Sequence, residues 1–294
     1  MDNTIDIRDL LNSVGSSSFE RALLAPVVKR TKPDFPSILL ENNSKKVEVE
    51  PLAVSGFMDG IQASLCLKYI SHRPVYLSYA CAGVISGDKN LDSVKECLEL
   101  VISQEELDWY EGLNFSMKKY VVPSNDPEVI EHLAATRLSE TRNELELASI
   151  AGNLESVGGY LVVDGGLVGK NPNSRLVGVV KTTRNKYLED ETLIKNLPEG
   201  FMSQRFIIPA GSQGVLEDRY SCYLRLHDAS RRHWNFGLVR LESFDPGILE
   251  SLASRCLLER QSQGSIDPRF DRHITSIKTC EDKLRANRPS IFQL

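Results

Sequence analysis

Long hydrophobic runs are missing from this 294-residue chain. None approaches the roughly 20 apolar residues of a membrane-crossing helix, so the sequence predicts no such span. The opening stretch, Met1 to Val14, mixes acids with apolar residues and lacks the pattern of a secretory signal, which points to a cytoplasmic protein. Paired metal-binding cysteines are missing too. Cys66, Cys81, Cys97, Cys222, Cys256 and Cys280 form no C-x-x-C, and no histidine stands at zinc-finger spacing from them. They read as small buried side chains of a reducing compartment. Nor is there an excess of positive charge: 35 Lys and Arg against 40 Asp and Glu leave a net −5. That argues against a protein coating nucleic acid over its whole surface and leaves room for a local basic groove. Two stretches suit one: Arg231-Arg232-His233-Trp234, and Arg269 to Arg288, where basic residues outnumber acidic ones. There is no internal repeat and no low-complexity tract.

What is present is an ordinary globular composition, 41% hydrophobic and 26% charged, long enough for one large core or two modest ones. Two Asp-Gly steps stand out, each closing an apolar run. The first is Ala53-Val54-Ser55-Gly56-Phe57-Met58-Asp59-Gly60; the second is Tyr160-Leu161-Val162-Val163-Asp164-Gly165. A carboxylate at the mouth of a buried strand, followed by glycine, places an acid where a ligand can approach the backbone. Residues 1–30 carry a weak amphipathic helical pattern (Ile7, Leu10, Leu11, Val14), and Thr31 to Lys46 reads as loop.

Three β-type runs follow, Leu52–Met58, Ser64–Ile70 and Val75–Ile85, with Asp59-Gly60 and Ser71-His72-Arg73-Pro74 between them, as in an antiparallel meander. The spacing of Leu91, Val94, Leu98, Val101 and Ile102 predicts a helix over 90–113. A longer helix starts at Ser124-Asn125-Asp126-Pro127, with the stripe Ile130, Ala134, Leu138, Thr141, Leu145, Ala148, Gly152. The second Asp-Gly strand comes next. Then come β-type runs at Leu176–Thr182, Phe206–Pro209, Cys222–Leu226 and Phe236–Leu241, and two closing helices near Ile248–Gln261 and Phe270–Ala286. A meander, then helices, then a buried strand beside the first is the order of an RNase H-like sheet. The expected fold is therefore α/β, an RNase H-like mixed sheet with flanking helices and a C-terminal β/α elaboration. In it Asp59 and Asp164 are neighbours.

Adjacent carboxylates repel unless a cation lies between them. Oxygen-only ligands favour Mg²⁺ or Mn²⁺, and two such ions about 4 Å apart clamp the attacking and leaving oxygens of a phosphodiester. Glu144 and Glu146 of the long helix flank its apolar stripe on opposite sides, so one of them is placed to add a third carboxylate. Lys181, after Val177-Gly178-Val179-Val180, and Arg225, inside Tyr223-Leu224-Arg225-Leu226, are candidate phosphate contacts. His273, near a helix start, is a candidate ligand or proton carrier.

In order, FMDG with Asp59, TRNELELA with Glu144 and Glu146, YLVVDGGL with Asp164, LVGVVKT with Lys181, YLRL with Arg225, GLVRLE with Arg240 and Glu242, and RFDRHITSIKTCEDKLR with His273 resemble the NurA nuclease family. The resemblance runs from about residue 50 to the end. It sets residues 1–48, an N-terminal helical and extended segment, apart from a nuclease domain over 49–294. It implies a Mn²⁺-dependent (or Mg²⁺-dependent) deoxyribonuclease, and a homodimer docking on a HerA-type hexameric DNA-translocating ATPase in DNA-end processing or anti-phage defence. It makes Asp59, Glu144 or Glu146, and Asp164 the metal ligands, with Lys181 and His273 in the catalytic set and Tyr223 a further contributor. DNA contacts fall to Lys181, Tyr223, Arg225, Arg231, Arg232 and Arg272. The chain departs from the family in reading Asp-Gly-Gly where Asp-Gly-Ser is usual. Two other classes accommodate paired Asp-Gly steps: an actin-like or sugar-kinase-like phosphate-binding ATPase, and a non-catalytic docking subunit of a translocase complex.

Overall fold

A computed structural model describes residues 37–40, 43–87, 90–112, 117–154, 158–181, 187–188, 191–210, 217–261 and 270–292. The helix expected within residues 1–30 lies outside them. Two-residue strands β1 (Ile38–Leu39) and β2 (Lys45–Lys46) fall in the stretch read as loop. Then come the long strands β3 (Val54–Ile70), β4 (Arg73–Ser86) and β5 (Leu91–Ser103). Short helix α1 (Leu107–Glu111) and strand β6 (Lys119–Val122) lead to the 28-residue helix α2 (Pro127–Leu154). Strands β7 (Tyr160–Asp164) and β8 (Leu176–Val180), helix α3 (Glu191–Lys195), and strands β9 (Phe201–Met202), β10 (Phe206–Ile208), β11 (Arg219–Arg225) and β12 (Leu238–Ser243) follow. Helices α4 (Leu249–Leu258) and α5 (Thr275–Asn287) come last.

The strands form one mixed sheet of order β1-β10-β11-β12-β8-β7-β3-β4-β5-β6, with β9 bridging β11 and β2. β3, β4 and β5 are an antiparallel meander, β3, β7 and β8 run parallel, and β12, β11 and β10 continue antiparallel from β8. The fold is thus mixed α/β, a large sheet with flanking helices, and none of the described helices is long and apolar enough to cross a membrane.

Two local expectations are corrected. Asp59-Gly60 is no turn: β3 runs straight through it, because Asp59 pairs with Gly83, Gly60 with Ala82 and Ile61 with Cys81 on β4. The hairpin reverses at Ser71-His72, between paired Ile70 and Arg73, with φ of 48° and 71°. Positive φ at both central residues is the two-residue turn that matches strand twist. The third meander strand is instead Leu91–Ser103, read from sequence as helix. Its register shift against β4 falls only at its start, between Leu91 and Ser93, but every residue from Glu99 to Ser103 is buried, so apolar side chains occupy both faces and their spacing mimics a three-four pattern. Pairing with β4 along almost its whole length overrides that local signal.

Both faces of β3 and β4 are covered, which is why they read as nearly unbroken apolar runs. Odd-numbered residues Phe57, Ile61, Leu77, Tyr79 and Cys81 join the core with Ile277, Cys280 and Leu284 of α5. Even-numbered Met58 and Val84 pack with Ile150 and Leu154 of α2, and Cys66 and Tyr76 with its Ile130 and Ala134. The helix α2 is launched as its sequence predicts: Asp126 Oδ1 accepts from the Glu128 N–H at 2.9 Å, and Pro127 takes the first helical position, where no N–H is needed. After Thr141 its buried stripe continues through Glu146, Ser149 and Ile150 rather than Ala148 and Gly152. That drift decides which glutamate faces the sheet.

Candidate functional site

Strand β7 pairs with β3 only as far as Val163 opposite Met58. Beyond that point Asp59 to Gln62 have no strand on their β7 side among the described residues. A cleft of about 680 Å³ opens there, at the carboxyl ends of the parallel strands, where α/β sheets commonly bind ligands. Its wall includes Asp59, Glu146, Asp164, Lys170, Lys181, His273 and Glu281. Helix α2 supplies Glu146 from one face of the sheet and α5 supplies Glu281 from the other.

Asp59 is buried, and its Oδ1 accepts from the Gly60 N–H at 2.7 Å. Burial first, and then the Asp164 carboxylate beside it, push the Asp59 carboxyl well above the usual range, against the opposing pull of Lys181. Asp164 is the more open of the pair, and Lys181 Nζ donates to its Oδ2 at 3.0 Å. Gly60 is glycine for a packing reason. A Cβ there would lie 2.6 Å from Glu146 Oε1 and 3.0 Å from its Cγ, so the helix carboxylate rests directly on the strand. Glu146 in turn receives Lys170 Nζ at 3.0 Å, with Arg142 Nε 3.5 Å away.

The loop leaving Asp164 is braced from below. Gly165 has φ of +106°, and the Leu167 N–H donates to Glu242 Oε2 at 2.7 Å. Glu242 is fully buried and also takes Arg219 Nη1 at 3.2 Å and Arg240 Nη1. Burial works against its ionisation, but these two guanidinium groups hold it below the usual carboxylate range. Gly166 packs against it: a Cβ would meet Glu242 Oε2 at 3.2 Å, tighter than an ordinary contact.

The structure therefore brings Asp59, Glu146, Asp164, Lys181 and His273 to one cleft. Glu144 does not join them; its side chain is 61% exposed and pairs with Arg137 at 3.3 Å. Arg272 stands just behind, its Nη1 donating to the Lys181 carbonyl at 2.9 Å. Tyr223 is buried against Phe206, with ring centroids 5.8 Å apart. Arg225 is wholly buried, and its guanidinium donates to the carbonyls of Leu197 and Ile194 (each 3.1 Å), Lys195 (3.4 Å) and Phe236. Desolvation pulls it down to about 10. Arg231 and Arg232 are exposed on the β11–β12 connection and do not line the cleft.

Sequence reasoning missed Lys170, Arg142, Glu281 and Arg285, all of which line the cleft. Glu281 pairs with Lys278 at 3.0 Å and Arg285 at 2.7 Å, one turn away on either side. Burial opposes its charge, but hydrogen bonds from Arg285 and Lys278 outweigh it and hold the carboxyl at about 2. That i, i+3 and i+4 spacing was visible in the sequence, but it reads equally as a solvated helix face.

Among the described residues no three His, Cys, Asp or Glu side chains are grouped so as to hold a metal ion as they stand. Lysines sit on two of the acids instead. The donor chemistry of the aspartate pair still fits a hard divalent cation: both groups are oxygen-only, and burial together with the adjacent Asp164 carboxylate makes the Asp59 charge costly without a further cation beside it. No protein-family model matches the chain, and no curated protein matches it.

Proposed function

We propose that this chain is a Mn²⁺- or Mg²⁺-dependent deoxyribonuclease on an RNase H-like core, hydrolysing phosphodiesters at DNA ends. The observation that carries the reading is the buried Asp59 carboxyl, set beside Asp164 in an open cleft with Glu146 across Gly60. A buried acid destabilised by its neighbour is costly to keep, and such groups cluster at functional sites. The sheet supports the same reading. Its meander has the first strand next to the strand that follows the long helix, and helices cover both faces.

Asp59 and Asp164 would hold the cation, with Glu146 the acid nearest to join them. When bound, a divalent ion lowers the pKa of a water and neutralises charge on the phosphate. The chain's own residues do the rest. Lys181, fixed by the Arg272 contact to its carbonyl, carries a positive charge to the cleft for a non-bridging phosphate oxygen. His273, buried in the wall, is the group placed to hold or pass a proton. Four cationic side chains, Arg142, Lys170, Lys181 and Arg285, line the cleft of a chain whose net charge is −5, which suits a protein that receives DNA from a partner rather than capturing it over its whole surface. That partner is a HerA-type hexameric translocase docking a homodimer of this chain, in end processing or anti-phage defence.

The test is cleavage of end-labelled linear duplex by the purified chain in Mn²⁺, with and without the translocase. Asp59→Ala and Asp164→Ala are expected to abolish it while retaining the wild-type circular dichroism. Full cleavage by both variants would sink the proposal.

A further inference from the structure

We propose that Lys170 is a phosphate-contacting residue held in reserve by Glu146, so that a divalent cation and the lysine ammonium compete for one carboxylate. The inference rests on the proposed cation site at Asp59 and Asp164.

Lys170 is not a loose surface lysine. Its side chain is only 8% exposed, its Nζ lies 3.0 Å from Glu146 Oε2, and Glu146 is itself 9% exposed. The loop that carries it is built for this placement. It turns through Gly165 at φ +106° and Gly169 at φ +72°, and the Lys170 N–H closes back on the Leu167 carbonyl at 3.2 Å. Leu167 is in turn pinned by the buried Glu242. The stem of the lysine thus starts from a fixed point beside Asp164 and spans to the carboxylate that lies over Gly60.

Charge balance gives the pairing its consequence. Four carboxylates line the cleft, Asp59, Glu146, Asp164 and Glu281, and four cations line it with them, Arg142, Lys170, Lys181 and Arg285. With no dication present, the lysines supply the countercharge. A dication entering between the acids repels the ammonium and takes its carboxylate. The ammonium then leaves on a flexible four-carbon stem, and within the cleft its new partner is the anion the dication recruits. Lys170 therefore disfavours the cation in the empty site and favours the phosphate in the loaded one. A merely structural ion pair would leave the salt slope of DNA binding unchanged on its loss, and Arg142, 3.5 Å from Glu146, would remain the carboxylate's partner.

The experiment uses the full chain at pH 8, as wild type, Lys170→Met, Lys170→Arg and Asp59→Asn. Mn²⁺ affinity is read by titration calorimetry without DNA, and duplex affinity in Ca²⁺ by fluorescence anisotropy across a salt series. Lys170→Met is expected to bind Mn²⁺ more tightly, by about tenfold for one removed like charge. It is expected to bind DNA more weakly, with the salt slope reduced by about 0.9, the share of one phosphate contact. Lys170→Arg keeps the wild-type slope. If Lys170→Met fails to give the wild-type melting profile, Lys170→Gln takes its place. Unchanged or weaker Mn²⁺ binding, or an unchanged salt slope, overturns the role of Lys170. If the wild type binds Mn²⁺ no better than Asp59→Asn, the proposed cation site itself fails; if it binds better and Lys170→Met behaves as wild type, the site stands and the lysine's role falls.

Discussion

Replacing Gly60 by alanine tests how closely Glu146 rests on the strand. The backbone permits it, since Gly60 is not among the glycines of positive φ. The obstacle is the carboxylate: a Cβ would stand 2.6 Å from Glu146 Oε1, against about 3.4 Å for an ordinary contact, so the carboxylate must retreat by roughly 0.8 Å. It has little freedom to do so, being tied to Lys170 and flanked by Arg142. Overpacking of this kind costs about 1–3 kcal/mol, and the stiffer unfolded chain of an alanine offsets roughly 0.5–1 kcal/mol. The net expectation is a loss of about 1 kcal/mol, a fall of roughly 2–4 °C in Tm for a chain of this size class. In a Glu146→Ala background only the 3.2 Å approach to Arg142 Cγ remains, and the same substitution should be close to neutral, a coupling of about 1–2 kcal/mol. Urea unfolding followed by tryptophan fluorescence measures all four corners of the cycle. Equal effects of Gly60→Ala in both backgrounds would refute the placement of Glu146 and with it the composition of the cleft.

Other substitutions separate site from scaffold. Because the folded Asp59 carboxyl titrates above its unfolded value, the native state binds more protons than the unfolded chain, and stability falls as pH rises from about 4 toward the folded value. Asp59→Asn should therefore raise Tm at neutral pH and flatten that pH dependence, and Mn²⁺ should stabilise the wild type but not the variant; an Asn variant less stable at every pH would contradict this. Glu144→Ala is expected to leave Mn²⁺ binding and cleavage unchanged while Glu146→Ala weakens both, and the reverse ranking in the same assays would exchange their roles. His72→Gly relieves a left-handed residue at an exposed turn and should stabilise by about 0.5–1 kcal/mol in urea titration. Arg225→Met strips the donor from four carbonyls and should cost about 3 kcal/mol or more, and a change in DNA affinity with no loss of stability would return Arg225 to the binding surface.

Topology was more legible in the sequence than local geometry. The adjacency of Asp59 and Asp164 followed from element order, and the parallel pairing of Met58 with Val163 agrees with it. Yet the meander that justified it was misassigned strand by strand. Asp-Gly is a strong turn signal, and only pairing with Gly83 and Ala82 carries β3 through it. The residues 91–103 read as helix because burial on both faces from Glu99 to Ser103 removes the alternation of a half-buried strand. The choice between Glu144 and Glu146 was closed to one-dimensional reading, since it depends on a buried stripe that drifts past Thr141. Lys170 escaped notice because glycines with positive φ fold its loop back on the site, and nothing in the residue types announces that. Arg225 misled for the opposite reason. An arginine among alternating apolar residues suggested a strand face turned to a ligand, whereas its partners are four main-chain carbonyls that only the tertiary fold supplies.

The most direct measurement is a crystal soaked in Mn²⁺ and recorded at the manganese absorption edge. An anomalous peak between the carboxylates of Asp59 and Asp164, with Lys170 withdrawn from Glu146, is expected. Clear density for the cleft with no anomalous peak at saturating Mn²⁺, and both lysines still on their carboxylates, would contradict the account.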